Sequence, residues 1–460
     1  MTNFSITPKK TNFVFTKNRK IISEIPSPKT IDILEKCMVF EPKSMNNQIP
    51  IVWDRAEGFN VYDIEGNKWI DFTSTIFVAN VGHSNPRIIN SIKKMLDKSL
   101  LNAYYYPTEI RAQFSEYMIN DVFENKYEKI LLLSTGSEAN ESAIKMAKIR
   151  CLKKNKNNTC KLISFTNSFH GKTLGSQLAG GKEKEKYWIK NDGQNNIHIQ
   201  FPYPWILKEL NISGADFFKK TINELLLNGL DFSDVAAFIT EPYQGWCAVF
   251  LPNDYAKELE NFCRKNNILL IMDEVQSGFG RTGKTFAYEH FDIHPDIIVC
   301  GKAISSSLPL SAVITNSDIF GDDESFNSTH GGNPLAVAAS LESVKIMKED
   351  NLVFESYRKG LILEKELMSW KEENPNQIKE IYCKGLLASV FIESNSEKIN
   401  NIDFVDLIIE EATRRGLMSI RTSSGTLKIG PPLIISDDAL IEGIEVLKES
   451  LKEINKCLDI

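Results

Sequence analysis

Between residues 129 and 315 the chain repeatedly changes texture, and few architectures accept the pattern. "KILLLSTG" leads into "SEANESAIKMAKIRCLKK", "KLISF" precedes "TNSFHGKT", and "VAAFITEP" precedes "YQG". The helical segment "YAKELENFCRKNN" feeds "ILLIMDE", and "DIIVCGKA" and "SAVIT" follow. A strand that is apolar on both faces must be covered on both faces. The alternation therefore predicts a mostly parallel sheet between layers of helix, an α/β fold. In such sheets ligands bind beyond the carboxyl ends of the strands.

The flanks read differently. Upstream, "FNVYDIEGNKWIDF" alternates apolar and polar residues around "EGN", which predicts a β-hairpin. Downstream of "GGNPLAVAASLESVKIMKED" the chain reads helix, strand ("GLLASVFIE"), helix ("DFVDLIIEEATRRG"), strand ("TLKIG") and a closing helix. The expected division is an N-terminal arm and hairpin over 1–70 that belongs to a small domain, a large domain over 71–335, and a C-terminal small α+β domain over 336–460. The first thirty residues carry six basic residues and one acid. With a single Arg and no amphipathic stripe they read as a loosely ordered arm rather than a transit peptide, and no apolar segment signals export.

Composition removes several function classes. A net charge of −6 argues against nucleic acid as a partner, since phosphate binding needs a basic face. No apolar stretch reaches the roughly eighteen residues that a membrane span requires. Eight cysteines without CxxC or other ligand spacing read as reduced, buried thiols, consistent with a cytoplasmic location. His290 and His294 have the spacing of a metal pair, but "FDI" and Pro295 argue against one continuous helix, so no metal is expected.

The chemistry-bearing residues collect at strand ends. Glu241 ends one strand, Asp273 and Glu274 another, and Lys302 a third. "STGSEAN" sits where a strand turns into a helix, so N–H groups and hydroxyls around Thr135, Gly136 and Ser137 would face an anion. No GK[ST] follows, which favours a small phosphate over a nucleotide. An anion seat, a buried acid and a strand-end lysine together suggest pyridoxal phosphate. Lys302 would hold its aldehyde as a Schiff base, and Asp273 would keep its ring nitrogen protonated. Phe169 and His170 of "SFHGKT" would cover the ring. Alone, a strand-end lysine is more often a solvated residue, and an Asp-Glu pair more often a helix cap or a metal-ligand candidate. Their ordered co-occurrence carries the reading.

The chain resembles the class III pyridoxal-phosphate aminotransferases, the group of ornithine, acetylornithine and 4-aminobutyrate aminotransferases. "VANVGHSNP", "STGSEANESAIKMAK", "SFHGKTLG", "TEPYQG", "MDEVQSGFGRTG", "GKAISSSLPLSAV", "STHGGNPLA" and "GPPLII" fall in family order. The resemblance implies the aspartate-aminotransferase fold (fold type I), a homodimer, and transamination between an amine or amino acid and a carbonyl acceptor. An isomerase, epimerase or decarboxylase on the same fold is the rival reading, and a catalytically degenerate scaffold the second. By resemblance Lys302 carries the cofactor and shuttles the proton, and Asp273 pairs with the ring nitrogen. Gly136 and Ser137 hold the phosphate, and Phe169 stacks on the ring with His170 beside it. Gln276 lies near the phenolic oxygen, and Thr329 reaches the phosphate of a neighbouring subunit. Glu241 matches a glutamate near the active site in the ω-aminotransferase branch, with a purely structural carboxylate as the alternative.

Two departures bear on substrate. Lys172 and Lys428 stand where the 4-aminobutyrate and ornithine enzymes commonly have Arg, replacing a two-bonded carboxylate fork by a point charge. This leaves room for a diamine, an amino sugar or another amine without the usual carboxylate. Arg421 offers a carboxylate clamp. "SSS" at 305–307 replaces the usual "GGG" and should tighten that turn. His83 reads as a turn or interface residue, "YYYP" at 104–107 as pocket wall or dimer interface, and Arg281 as a loop brace.

Overall fold

The computed structural model describes residues 4–46, 48–154, 159–189, 195–321 and 323–459. They form two compact units. The smaller comprises residues up to Asn85, Arg281–Gly283 and Asn351 onward, and the larger comprises Pro86–Gly280 and Lys284–Asp350. The divisions fall at 85/86 and 350/351, fifteen residues beyond each sequence-based boundary.

The larger unit is built on a seven-stranded sheet. In chain order its elements are β1 (Lys129–Leu133), α1 (Gly136–Lys154), β2 (Lys161–Phe165), β3 (Asn196–Ile199), β4 (Val235–Thr240), α2 (Asn253–Asn266), β5 (Leu269–Asp273), β6 (Ile297–Cys300), β7 (Ser311–Thr315) and α3 (Pro334–Glu349). The spatial order is β1-β7-β6-β5-β4-β2-β3. The strands from β6 through β3 run parallel, and β7 alone is antiparallel to both its neighbours. Every residue of β4, β5, β6 and β7 is buried, as their unbroken apolar sequence requires. α1 covers the sheet with Ala139, Ala143, Ile144, Met146, Ala147 and Cys151, spaced to lie along one face.

The smaller unit contains the expected hairpin, Asn60–Tyr62 against Lys68–Asp71, with Val61 directly opposite Trp69. Asp63 fixes its turn by accepting the N–H groups of Glu65 and Asn67. The N-terminal arm is not loosely ordered. Val14–Phe15 pairs with Lys20–Ile21, which extends the hairpin sheet at Lys20 opposite Lys68. Ile21 and Ile25 are buried, and Arg19 Nε donates to Glu442 Oε1 at 2.7 Å. Residues 1–3 lie outside the described residues. In the same unit, Ile378–Lys384, Leu387–Ile392, Leu427–Ile429 and Ile420–Arg421 form a second, antiparallel sheet.

Arg281 is the brace that its loop needs. It is fully buried, and its Nη atoms donate to the carbonyls of Leu386 and Pro431, to Ser74 Oγ and to Asn80 Oδ1. Its guanidinium also sits 5.2 Å from the Phe77 ring centroid. Phe77 ends a stretch, Ser74–Phe77, in which four consecutive non-glycine residues have positive φ, between 47° and 66°. Left-handed residues cost about 1–2 kcal/mol each, so the surroundings must hold this turn. Arg281→Ala leaves several buried acceptors unpaired and opens a void, for an expected loss on the order of 4 kcal/mol in a denaturant titration. A loss under about 1 kcal/mol would contradict the bracing role. His83 is structural as well: its Nε2 lies 2.8 Å from Asp71 Oδ2, and its ring meets Trp53 edge-on.

Candidate active site

The carboxyl ends of β4, β5 and β6 deliver Glu241, Asp273 and Lys302 to one cavity of the larger unit. Thr135, Gly136, Ser137, Asn140, Phe169, His170, Gly171, Tyr243, Val275 and Gln276 line it with them. Parallel pairing sets the register, with Met272 of β5 opposite Thr240 and Asp273 opposite Val299.

The anion seat follows from a capping box at the start of α1. Thr135 Oγ1 accepts the Glu138 N–H at 3.2 Å, while Glu138 Oε2 accepts the N–H groups of Ser134 (2.8 Å) and Thr135 (3.1 Å). The helix-start N–H groups of Gly136 and Ser137, at the positive end of a 19-residue helix, remain for a ligand. Two glycines keep the seat open. A Cβ on Gly171 (φ +142°) would meet Ser137 Oγ and Ser176 Oγ at 2.4 Å, and one on Gly136 would meet Val275 at 3.0 Å.

Asp273 is held on three sides. Its Oδ2 accepts from Asn140 Nδ2 and lies 2.8 Å from His170 Nδ1, while Oδ1 accepts the Val275 N–H at 3.1 Å. An ionised carboxylate there accepts from His170 Nδ1, which leaves Nε2 facing away from Asp273. His170 Nε2 and Asn140 Oδ1 are buried without a hydrogen-bond partner. Such orphaned atoms mark a place built for something else.

Lys302 has φ +46°, a left-handed conformation unusual for a residue with a side chain. Burial pushes its amine below the ordinary lysine range, against the opposing pull of Asp273 and Glu241. The "SSS" turn after it is tied internally: Ser305 Oγ donates to Leu308 O, Ser306 Oγ to Ala303 O and Ser307 Oγ to Ser305 O. Glu241 accepts the Phe169 N–H at 3.1 Å and the Gly245 N–H at 3.0 Å. Burial raises its carboxyl despite His170, with Asp273 adding to the rise. A phosphate seat, a carboxylate for a ring nitrogen, an aromatic face and a depressed amine are the donor set that pyridoxal phosphate requires.

Other sequence candidates lie elsewhere. Lys172 is exposed and outside the cavity lining, and its N–H donates to Ser137 Oγ at 3.4 Å. Thr329 is exposed on the loop before α3. Tyr104, Tyr105 and Tyr106 are exposed, and Tyr105 lines a separate cavity with Arg111, Phe326 and Ser328. In the smaller unit, Lys428 is buried with its ammonium 4.6 Å from the Phe77 ring centroid, and Arg421 Nε donates to Asp406 Oδ1 at 2.7 Å. His290 belongs to a short 3₁₀ segment that ends at Phe291, and Asp292 turns left-handed before the exposed His294. Asn140, Gly171, Tyr243 and Val275 were not foreseen. Asn140 lies one helical turn beyond Gly136, and that spacing was the available signal.

Glu274 faces away into the core. Burial lifts its carboxyl to about 7, although Ser277 Oγ and the N–H groups of Tyr288 and Ala287 donate to it. A carboxyl raised in the folded state contributes stability below its unfolded value, which fades as pH climbs through the folded one. Glu274→Gln is therefore expected to flatten the decline in thermal midpoint between about pH 4.5 and 7 relative to wild type. Parallel pH profiles for the two proteins would contradict the assignment.

Residues 42–451 match the family model described as Aminotransferase class-III. The chain is 32% identical over 416 residues to an ornithine aminotransferase of Schizosaccharomyces pombe, covering 88% of this chain and 90% of that protein. It is 32% identical over 418 residues to an acetylornithine aminotransferase of Methanocaldococcus jannaschii, covering 89% and 95%. The crystal structure of an ornithine aminotransferase from Toxoplasma gondii, described as having partial occupancy of PLP at its active site, superposes with a TM-score of 0.80. That match is at 26% identity and covers 95% of this chain and 97% of that one.

Proposed function

This chain belongs to the class III aminotransferases, and on that footing we propose that it passes an amino group from a primary amine to a carbonyl acceptor with Lys302 as the residue that carries cofactor and proton. The family's cofactor is pyridoxal phosphate, whose electron-poor ring, when bound, takes up the electron pair left on the substrate carbon as its proton departs. Gly136 and Ser137 would hold its phosphate, Asp273 its ring nitrogen, Phe169 its ring face and Gln276 its phenolic oxygen. The observation that carries the reading is the convergence of Lys302, Asp273 and the α1 helix start on one cavity.

Each residue then has a physical task. An amine held below its ordinary range is unprotonated more of the time, so Lys302 can take a proton from a carbon and return it. Asn140 and His170 fix Asp273 by two hydrogen bonds to one oxygen, so its charge stays where a ring nitrogen needs it. Thr329 would complete the phosphate seat of a second copy, making the working unit a homodimer. This is supported by its exposure next to the cavity that Tyr105 and Phe326 line. A reducing compartment such as the cytoplasm suits cysteines that are all free thiols.

The amino donor proposed is an amine without a carboxylate at the family's usual place. Lys172 projects outside the cavity lining, and Lys428 offers a point charge spent over an aromatic ring. Glu241 adds a carboxylate to the cavity, which disfavours an anionic group there. Arg421, already engaged by Asp406, is the candidate clamp for an acidic partner in the other half-reaction. Single-turnover rates for 4-aminobutyrate, ornithine, a diamine, an amino sugar and glutamate test this, read from the cofactor's absorbance. A diamine or amino sugar is expected to lead as donor. A tenfold lead by ornithine or 4-aminobutyrate, about 1.4 kcal/mol in barrier, would contradict the substrate reading. No change with any amine would contradict transamination.

A further inference from the structure

Away from the active site, two cysteines meet where the end of α1 passes the start of β2. Cys151 lies in the last turns of α1 and Cys160 immediately precedes β2. Their thiols are crossed. Cys151 Sγ donates to Thr159 O, next to Cys160, at 3.7 Å. Cys160 Sγ donates to Lys148 O, one turn before Cys151, at 3.6 Å. Both belong to the buried core of the larger unit. Cys151, however, also lines a cavity of about 230 Å³ together with Arg150, Lys154, Ser233 and Asn267. A polar cavity of that size admits water-sized molecules, and a peroxide is little larger.

We propose that Cys151 and Cys160 are an oxidation site, at which a peroxide entering that cavity converts the paired thiols into a disulfide. Cys151 sulfur attacks one peroxide oxygen, the O–O bond breaks, and the departing hydroxide takes the thiol proton and leaves as water. Cys151 is now a sulfenic acid. Cys160 sulfur attacks it, the S–S bond forms as the S–O bond breaks, and hydroxide leaves with the Cys160 proton as a second water. Two thiols lose two electrons in all, and the two peroxide oxygens gain them. Arg150 and Lys154 at the cavity favour the departing hydroxide. Cys151 lines the cavity and Cys160 is not among its lining residues, so Cys151 meets the peroxide first and Cys160 is the second, resolving partner. The crosslink would tie the end of the helix that begins at the phosphate seat to the start of the strand that leads to Phe169 and His170. It touches no residue of the active-site cavity.

The test exposes the cofactor-loaded enzyme to hydrogen peroxide, blocks remaining thiols and maps peptides without reduction. The expected result is a Cys151–Cys160 linked peptide about 2 Da lighter than the two thiol peptides together, reversed by dithiothreitol. The oxidised protein is also expected to have a higher thermal midpoint that dithiothreitol lowers again. In Cys160→Ser, dimedone should label Cys151. Oxidation of the exposed Cys457 while Cys151 and Cys160 remain blockable as thiols would overturn the proposal. So would sulfinic acid at Cys151 with no linked peptide in the wild type. Because the wild-type map decides alone, a serine variant that fails to fold leaves the test intact.

Discussion

Lys302→Ala is expected to lower turnover on the order of 10⁴-fold or more, because the residue is assigned both the covalent hold on the cofactor and the proton shuttle. Among the described residues no other lysine lines the cavity; Lys182 comes nearest by contact, with its ammonium 5.4 Å from the Phe169 ring centroid. The seat proposed for the phosphate is untouched by the change, since the capping box of α1 and the openings at Gly136 and Gly171 do not involve Lys302. The variant should therefore still bind pyridoxal phosphate, reversibly and with altered absorbance. Its thermal midpoint should stay level or rise, because alanine removes a desolvated amine from a cavity, a usual trade between stability and activity. Turnover within tenfold of wild type would remove Lys302 from the mechanism.

Asp273→Asn is the second large effect. The amide keeps the carboxylate's shape but not its charge, and charge matters most where water is excluded. Removing one preorganised electrostatic partner typically costs about 10²–10³-fold, and a comparable loss in kcat is expected here. The substitution has a second consequence. Oδ2 of Asp273 faces two donors, Asn140 Nδ2 and His170 Nδ1. An amide turned to accept from both must place its NH₂ group against the Val275 N–H, a clash of donors. The His170 tautomer is therefore expected to change as well, which the imidazole nitrogen shifts in NMR would report. Near-normal rates would mean that another group holds the ring nitrogen.

The site was legible where a general rule fixes position. Glu241, Asp273 and Lys302 stand at carboxyl ends of adjacent buried strands, and unbroken apolar runs were enough to place those strands. The helix start at Gly136 was legible because "STGSEAN" follows an unbroken apolar strand, whereas the Thr135–Glu138 capping box that shapes it was not read from the sequence. Strand direction was not legible. β7 is as apolar as its parallel neighbours, and nothing in "SAVIT" records that its hydrogen bonds run antiparallel. The arm was misread for a related reason. Its pairing segments are two residues long, Phe13 and Phe15 remain exposed, and its order comes from distant partners such as Lys68 and Glu442. "STIF" at 74–77 contains no glycine to announce a left-handed turn, which tertiary contacts such as Ser74 Oγ to Gly430 O impose. Asn140 and Gly171 reach the cavity through folding, as the inner face of α1 meets the loop after β2.

The central claim is that one lysine at the end of β6 carries the cofactor. Borohydride reduction of the cofactor-loaded protein makes that bond permanent, and peptide mapping then locates it. The account predicts a single modified peptide, "GKAISSSLPL", labelled on Lys302 and lost in Lys302→Ala. Label on any other lysine, or stoichiometric cofactor with no covalent label at all, would contradict it.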